Sequence, residues 1–310
     1  MNDRNVLVLG AAGFIGRHTS RKFAENGCRV IGLGHGSWQK EEWASWGLSE
    51  FLSEDISKES IDFIASDHCF TAVVQCAGSG SVSYSYKNPL EDFERAIQST
   101  GIALDWIRTR NPRNCRFVFV SSAAVYGDKG PHDSNELTER VPISPYGFHK
   151  VAAELICESY SNFFDVPVSI VRLFSVFGEG LRKQLFWDAL NKIKIDDIEF
   201  FGTGDELRDW IYVEDAAELL VRSALIPQSL LEIYNGGAHH SSIRDVLALL
   251  LGDLNFIAFT GDVHPGNPRR LTSNSLEAFY RLGWEPKVSL EEGVRRYLEW
   301  YNGYMSLSSH

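Results

Sequence analysis

NVLVLGAAGFIGRH, residues 5–18, is the stretch on which the fold turns. A short run of β-branched and leucine residues ends at Gly10, two more glycines follow at 13 and 16, and from Phe14 to about Asn26 the pattern is helical. A buried strand that passes through glycines straight into a helix opens a β-α-β unit. Glycine there allows a tight turn and lets a pyrophosphate reach backbone N–H groups at the positive end of the helix. A glycine turn can also serve only to pack a helix on a strand. The strand before it and the helix after it favour a dinucleotide, with Gly10, Gly13, Phe14, Ile15 and Gly16 as its cradle.

Outward from this unit, CRVIGL (28–33), TAVVQCA (71–77) and CRFVFVSS (115–122) read as further strands separated by helical segments. Near-continuous apolar strands are buried on both faces, which predicts an α/β fold with a doubly wound parallel sheet of the Rossmann kind. Leu90, Phe93, Ile97, Gly101, Leu104 and Ile107 form one helical stripe. After VPVSIVRLFSVFG (166–178) the alternation gives way to glycine turns and short mixed elements. We expect a dinucleotide-binding domain over 1–175 and a smaller substrate-binding lobe over 176–310, with some segments returning to the first domain. SLEEGVRRYLEWY (289–301) reads as a late helix, with Ser289 and Glu292 as its capping box.

The chain has 310 residues and a net charge of -11, with 44% apolar and 23% charged residues. An acidic chain of ordinary composition excludes nucleic acid as the main partner, and an anionic ligand needs a locally basic pocket. There is no basic leader and no apolar stretch of spanning length, so the expectation is a cytoplasmic protein without a membrane partner. The five cysteines, Cys28, Cys69, Cys76, Cys115 and Cys157, form no CxxC pair and read as small buried thiols. His239 and His240 have no ligand-spaced partner and read as loop histidines, so no metal is expected.

A second unit carries chemistry. In ISPYGFHKVAAE (143–154), Tyr146 and Lys150 lie one helical turn apart behind a Ser-Pro helix entrance, and Ser122 ends the strand before them. A tyrosine of ordinary pKa, about 10, is a poor base at neutral pH, and a nearby ammonium favours its phenolate. Ser122 can hold a substrate oxygen while Tyr146 exchanges the proton and a nicotinamide coenzyme the hydride. At the end of the second strand, where NAD enzymes carry an acid, stands Gly34. Without that carboxylate, His35 or Ser37 can donate to a 2′-phosphate, so NAD and NADP both remain open, as does a glycine needed only for a tight loop.

These segments, with SEDI (53–56), VVQCAG (73–78), SSAAVYG (121–127), VRLFSVFGEG (171–180), GTGDELRDWIYVEDAA (202–217) and YNGG (234–237), follow one another as in extended short-chain dehydrogenases. The chain resembles their nucleotide-sugar epimerase and dehydratase branch over nearly its whole length. The resemblance implies that Ser122, Tyr146 and Lys150 are catalytic, that Asp55 and Ile56 flank the adenine, and that Ala77 and Gly78 line the nicotinamide side. It also implies that Lys150 touches the nicotinamide ribose and that Arg208 grips the diphosphate of a UDP-, dTDP- or GDP-linked sugar. A surface pairing of Arg208 with Asp205 or Asp209 is the plainer reading.

Several positions depart from the family pattern. Ser175 replaces an amide near the substrate's phosphates; His264 and Asn267 stand where a cation and an acid are expected, with Arg269 or Arg270 as possible substitutes. Arg182 and Lys183 offer further phosphate contacts or simply a charged helix start. Ala123 and Ala124 replace the Asp-Glu pair of the 4,6-dehydratases, and methyl groups move no protons, which disfavours dehydration. The expected activity is therefore a nucleotide-sugar 4-epimerase in polysaccharide biosynthesis. The alternative is an NADPH-dependent reductase of a 4-keto-6-deoxy nucleotide sugar, and a non-catalytic coenzyme-binding regulator is more remote. Apolar positions beyond one stripe, including Val151, Leu155, Ile156 and Phe163, imply a homodimer, as does the resemblance.

Overall fold

A computed structural model describes residues 4–110, 113–195, 199–226, 229–252, 254, 257–262 and 266–308. Six strands of the first half, β1 (Asn5–Leu9), β2 (Arg29–Leu33), β3 (Leu48–Leu52), β4 (Phe70–Gln75), β5 (Arg116–Ser122) and β6 (Val168–Leu173), join one sheet. Its seventh strand comes from the C-terminal half. After β7 (Ser175–Phe177), β8 (Glu199–Phe200) and β9 (Leu207–Tyr212), the chain returns to place β10 (Leu231–Gly236) beside β6. The order is β10-β6-β5-β4-β1-β2-β3, and every pairing in it is parallel. β3 was not apparent in the sequence, where LSEFL is short and mixed in polarity.

Alternation along the strands explains the two cores. Val6 and Val8 of β1 and Val118 and Val120 of β5 face one side, against α1 (Phe14–Glu25) and, later in the chain, the helix 213–225. Leu7, Leu9, Phe117 and Phe119 face the other, where the helices 99–110 and 145–164 cover them. Both faces are thus buried, as the continuous apolar runs require. The sheet's winding reverses between β1 and β4, and a doubly wound sheet binds ligands in the crevice at that reversal.

Between β2 and β5 lie α2 (Lys40–Ser45), α3 (Lys58–Ile64), α4 (Val82–Lys87), α5 (Pro89–Phe93) and α6 (Ser99–Arg110). The single stripe expected over 90–107 is interrupted: residues 94–98 form a π-helical turn, so Leu104 and Ile107 are buried while Leu90 is 69% exposed. One extra residue in the turn rotates the following face relative to the preceding one. α7 (Pro145–Phe164) then carries Tyr146 and Lys150.

The remaining elements build the lobe. α8 (Gln184–Lys194), α9 (Val213–Leu225), β11 (His239–Ser242), α10 (Ile243–Leu251), β12 (Ala258–Phe259), β13 (Arg270–Leu271), α11 (Leu276–Leu282) and α12 (Leu290–Ser308) complete the chain order. β9 is the hub of the lobe sheet, pairing with β7 and β13 in parallel and with β11 antiparallel. His239 and His240 therefore sit in a strand, not a loop; their Nε2 atoms meet the carbonyls of Val288 and Ser273. Among the described residues no His/Cys/Asp/Glu group is arranged to hold a metal, and no helix is long and apolar enough to cross a membrane. Of the thiols, Cys28, Cys115 and Cys157 are buried, whereas Cys69 is exposed on the turn before β4. At α12, Ser289 Oγ accepts the Glu292 N–H, but the Glu292 carboxylate turns to Arg295 and Arg296, which outcompete the reciprocal half of the capping box.

Candidate active site

At the crevice between sheet and lobe lies a cavity of about 550 Å³. Gly13, Phe14, Ile15, Ala77 and Gly78 line its sheet side, followed by Ser122, Tyr146 and Lys150. Ser175, Lys183, Arg208, Trp210 and Asn267 line the lobe side. Among the described residues no Asp, Glu or His lines the cavity. In a chain of net charge -11 this is a basic pocket within an acidic protein.

The glycine loop fits a dinucleotide. A Cβ on Gly16 would stand 2.1 Å from the Gly10 carbonyl oxygen, so only glycine lets α1 start this close to the strand end. α1 has no acidic residue in its first turn, and Gly13 leaves its N-terminus open to the cavity. Gly34 has a packing reason as well, since a Cβ there would be 3.1 Å from Gly10 Cα. The close approach of β2's end to the glycine loop and the φ of 152° at Gly34 disfavour any side chain there, the customary acid included. His35, expected as a donor to a 2′-phosphate, instead pairs with Asp55 (Nε2 to Oδ1, 2.6 Å) on an open surface. Asp55 and Ile56 lie just beyond β3, the first exposed and the second packed against the sheet, and neither they nor His35 line the cavity.

The acid-base unit is assembled by a helix cap. Ser144 Oγ accepts the Gly147 N–H at 3.1 Å, Pro145 begins α7, and the Tyr146 N–H donates to Ser85 Oγ at 3.0 Å. This places the phenol beside Ser122, whose hydroxyl acts to lower its pKa and whose Oγ accepts the Ala124 N–H at 3.2 Å. Lys150 Nζ donates to the Val120 carbonyl at 2.8 Å and stands 5.8 Å from the centre of the Tyr146 ring.

The electrostatics differ from the sequence expectation. Burial pushes the Tyr146 phenol up to about 12, against a smaller lowering by Ser122, and Lys150 does not offset it. Burial also brings Lys150 down to about 8, with Asp92 and then Glu154 acting to raise it. Desolvation thus outweighs the pairwise attraction that motif spacing suggests.

Arg208 is 7% exposed and pairs with neither Asp205 nor Asp209. Its guanidinium donates to the Leu207 carbonyl at 2.7 Å and to Asn267 Oδ1, and burial lowers it to about 10. Asp209 points away, accepting from Ala238 N and Ser273. Arg182 does not line the cavity: it donates to Tyr304 at 3.1 Å and lies over that ring, drawn off by the end of α12. Its neighbour Lys183 does line it, donating to the Ser79 carbonyl at 2.9 Å. Arg270 is bound to Asp133 and Thr272, and neither it nor Arg269 lines the cavity. His264 lies outside the described residues.

Sequence reasoning missed Asn267 as the partner of Arg208, because parallel pairing of β13 with β9 brings together residues far apart in the chain. It also missed the buried Asp92 and its half-buried partners Ser79 and His149, a cluster that acts on Lys150. The His before the motif lysine was the only local signal.

Residues 6–237 match the model of the NAD dependent epimerase/dehydratase family, and the chain belongs to that family of enzymes. A UDP-glucuronate 4-epimerase of Thermodesulfobacterium geofontis is 27% identical over 317 residues, covering 95% of each chain. Among solved structures, UDP-glucuronic acid 4-epimerase from Bacillus cereus, in complex with UDP-glucuronic acid and NAD, superposes with a TM-score of 0.87 at 26% identity. UDP-glucose 4-epimerase of Thermotoga maritima, with UDP-glucose, gives 0.86 at 26% identity. Both superpositions cover 97% of this chain and 99% of the other.

Proposed function

We propose that this chain is an NAD-dependent nucleotide-sugar 4-epimerase acting on a UDP-linked hexose or hexuronate. The observation that carries the reading is the cavity itself: Ser122, Tyr146 and Lys150 on one wall, Lys183 and Arg208 on the other, and, among the described residues, no carboxylate between them. NAD, when bound, supplies the hydride acceptor and a positively charged ring. Gly10, Gly13, Phe14, Ile15 and Gly16 would hold its pyrophosphate, and Ala77, Gly78 and Lys150 its nicotinamide end. Ser122 would hold the sugar's carbon 4 oxygen and Tyr146 would remove and return its proton, with the phenolate favoured by the positive ring of the bound coenzyme together with the Lys150 ammonium, which alone does not offset burial. Arg208 keeps the diphosphate in place through a charge-assisted fork while the sugar turns over.

Dehydration lacks its proton-moving groups, as Ala123 and Ala124 line the cavity where an acid and base are needed. The reductase alternative drew its support from Gly34, which packing now explains. Coenzyme-binding residues over 1–175 and 231–236 are read as one unit, with the rest as the substrate lobe. We also read the exposed Leu90, Phe148, Leu155 and Phe163 on α5 and α7 as a two-fold homodimer face, and the cytoplasm, as supplier of sugar nucleotides for polysaccharide synthesis, as the setting.

The experiment is to denature the purified protein, identify the released nucleotide, and assay UDP-glucose and UDP-glucuronate for inversion at carbon 4. Stoichiometric NAD with inversion is expected. An empty protein that consumes NADPH with a 4-keto nucleotide sugar would overturn the reading.

A further inference from the structure

Beside the Tyr146–Lys150 pair lies a carboxylate that its motif does not contain. Asp92, at the base of α5, is 1% exposed. Its Oδ1 accepts from Ser79 Oγ, and its Oδ2 meets His149 Nδ1 at 2.6 Å. Phe93 lies edge-on to the His149 ring, with centroids 6.1 Å apart. A carboxylate this deep persists as an anion only with donors or a cation to offset desolvation. Asp92 has a hydroxyl and an imidazole, and among the described residues it makes no ion pair with a lysine or arginine.

Lys150 has the opposite problem, for it is 5% exposed and donates its hydrogen bond to a neutral carbonyl, that of Val120. Two carboxylates act on it, Asp92 more than Glu154. Glu154 is committed elsewhere, accepting from Arg172 Nη2 at 2.8 Å, Arg140 Nη1 at 3.1 Å and Ser121 Oγ at 2.6 Å. Two guanidiniums share its charge. The remaining titratable neighbours, Cys76 and Cys157, are held as thiols by burial. That leaves Asp92, whose partners are the Ser79 hydroxyl and the His149 ring, as the carboxylate acting on Lys150 that no lysine or arginine holds among the described residues.

We propose that Asp92, fixed by Ser79 and His149, is a positioning residue that supplies the counter-charge keeping Lys150 protonated, and so sets the pH range in which Tyr146 exchanges its proton. The inference rests on the roles given to Tyr146 and Lys150 in the proposed function. The same carboxylate disfavours the Tyr146 phenolate. Removing it therefore moves both ionisations one way: Lys150 loses its proton at lower pH, and Tyr146 ionises at lower pH.

The test is the isosteric Asp92→Asn, with Asp92→Ser as a second neutral variant in case the amide disturbs packing. Both limbs of the kcat/KM profile are expected to move to lower pH by at least ~0.5 unit. A second readout needs no sugar: the phenolate absorbance of the NAD-loaded protein, taken against a Tyr146→Phe counterpart in the same background, titrates at lower pH when Asp92 is neutral. A folded, NAD-loaded variant with a lower rate at every pH, but unmoved limbs and an unmoved phenolate titration, would overturn the proposal and leave Asp92 a packing role. Full turnover in Tyr146→Phe alone would instead overturn the assigned reaction, so the two failures are separable.

Discussion

On the sheet side of the cleft, Ser122, Tyr146 and Lys150 come from one strand–loop–helix unit and are held by a local cap; on the lobe side, Ser175, Lys183, Arg208 and Asn267 come from four separate segments joined by β7–β9–β13 pairing. The first wall offers a proton-transfer group, the second fixed positive charge. Both walls desolvate their cations, bringing Lys150 to about 8 and Arg208 to about 10. The consequences differ. Lys150 can lose its proton within an assayable range, whereas Arg208 stays charged throughout it. On the roles proposed for these residues, proton chemistry and ligand anchoring are separated in space and in pH response.

The sharpest way to break this division is Tyr146→Phe, expected to reduce kcat by about 10²–10⁴-fold with KM and bound NAD little changed, as steady-state kinetics and nucleotide release would show. A comparable rise in KM would mean that the Tyr146 hydroxyl also carries ground-state binding of the substrate. Beneath both walls, Arg172 and Glu154 are 2% and 0% exposed and form a paired buried contact. Arg172→Met leaves that carboxylate with only Arg140 and Ser121 as partners and is expected to cost about 3 kcal/mol of stability in urea unfolding, the low end for a broken buried pair. On the lobe wall, Arg208→Gln is expected to raise the KM for the nucleotide sugar about 10- to 100-fold, from loss of a charge-assisted contact of about 1.5–3 kcal/mol, while kcat falls less. Activity should then fall as pH rises through about 8, because Lys150, lowered by burial, gives up the proton that favours the phenolate. The smallest effect is expected for Lys183→Ala, about two- to tenfold in KM, from loss of its bridge to Ser79.

Much of the sheet wall was legible in the linear chain. Gly16 is forced by contact with Gly10, only a few positions away, and Tyr146 and Lys150 share a face because a helix places positions four apart together. The lobe wall was legible in part. Arg208 stood out as the cation of RDW, but its freedom from Asp205 and Asp209 depended on where β11 and Ser273 drew the Asp209 carboxylate. Arg182 and Lys183 were indistinguishable as neighbours; only the position of Tyr304 in α12 decided which of them faced the cleft.

From the sequence by itself came the alternating sheet, the glycine loop and the shared helical face of Tyr146 and Lys150, because these follow from side-chain periodicity and from contacts within a few turns of chain. Tertiary structure alone decided the charge states, the engagement of His35 with Asp55, the packing demand at Gly34 and the Asp92 cluster. Desolvation and long-range pairing depend on everything that surrounds a group, and spacing along the chain carries no record of that surrounding.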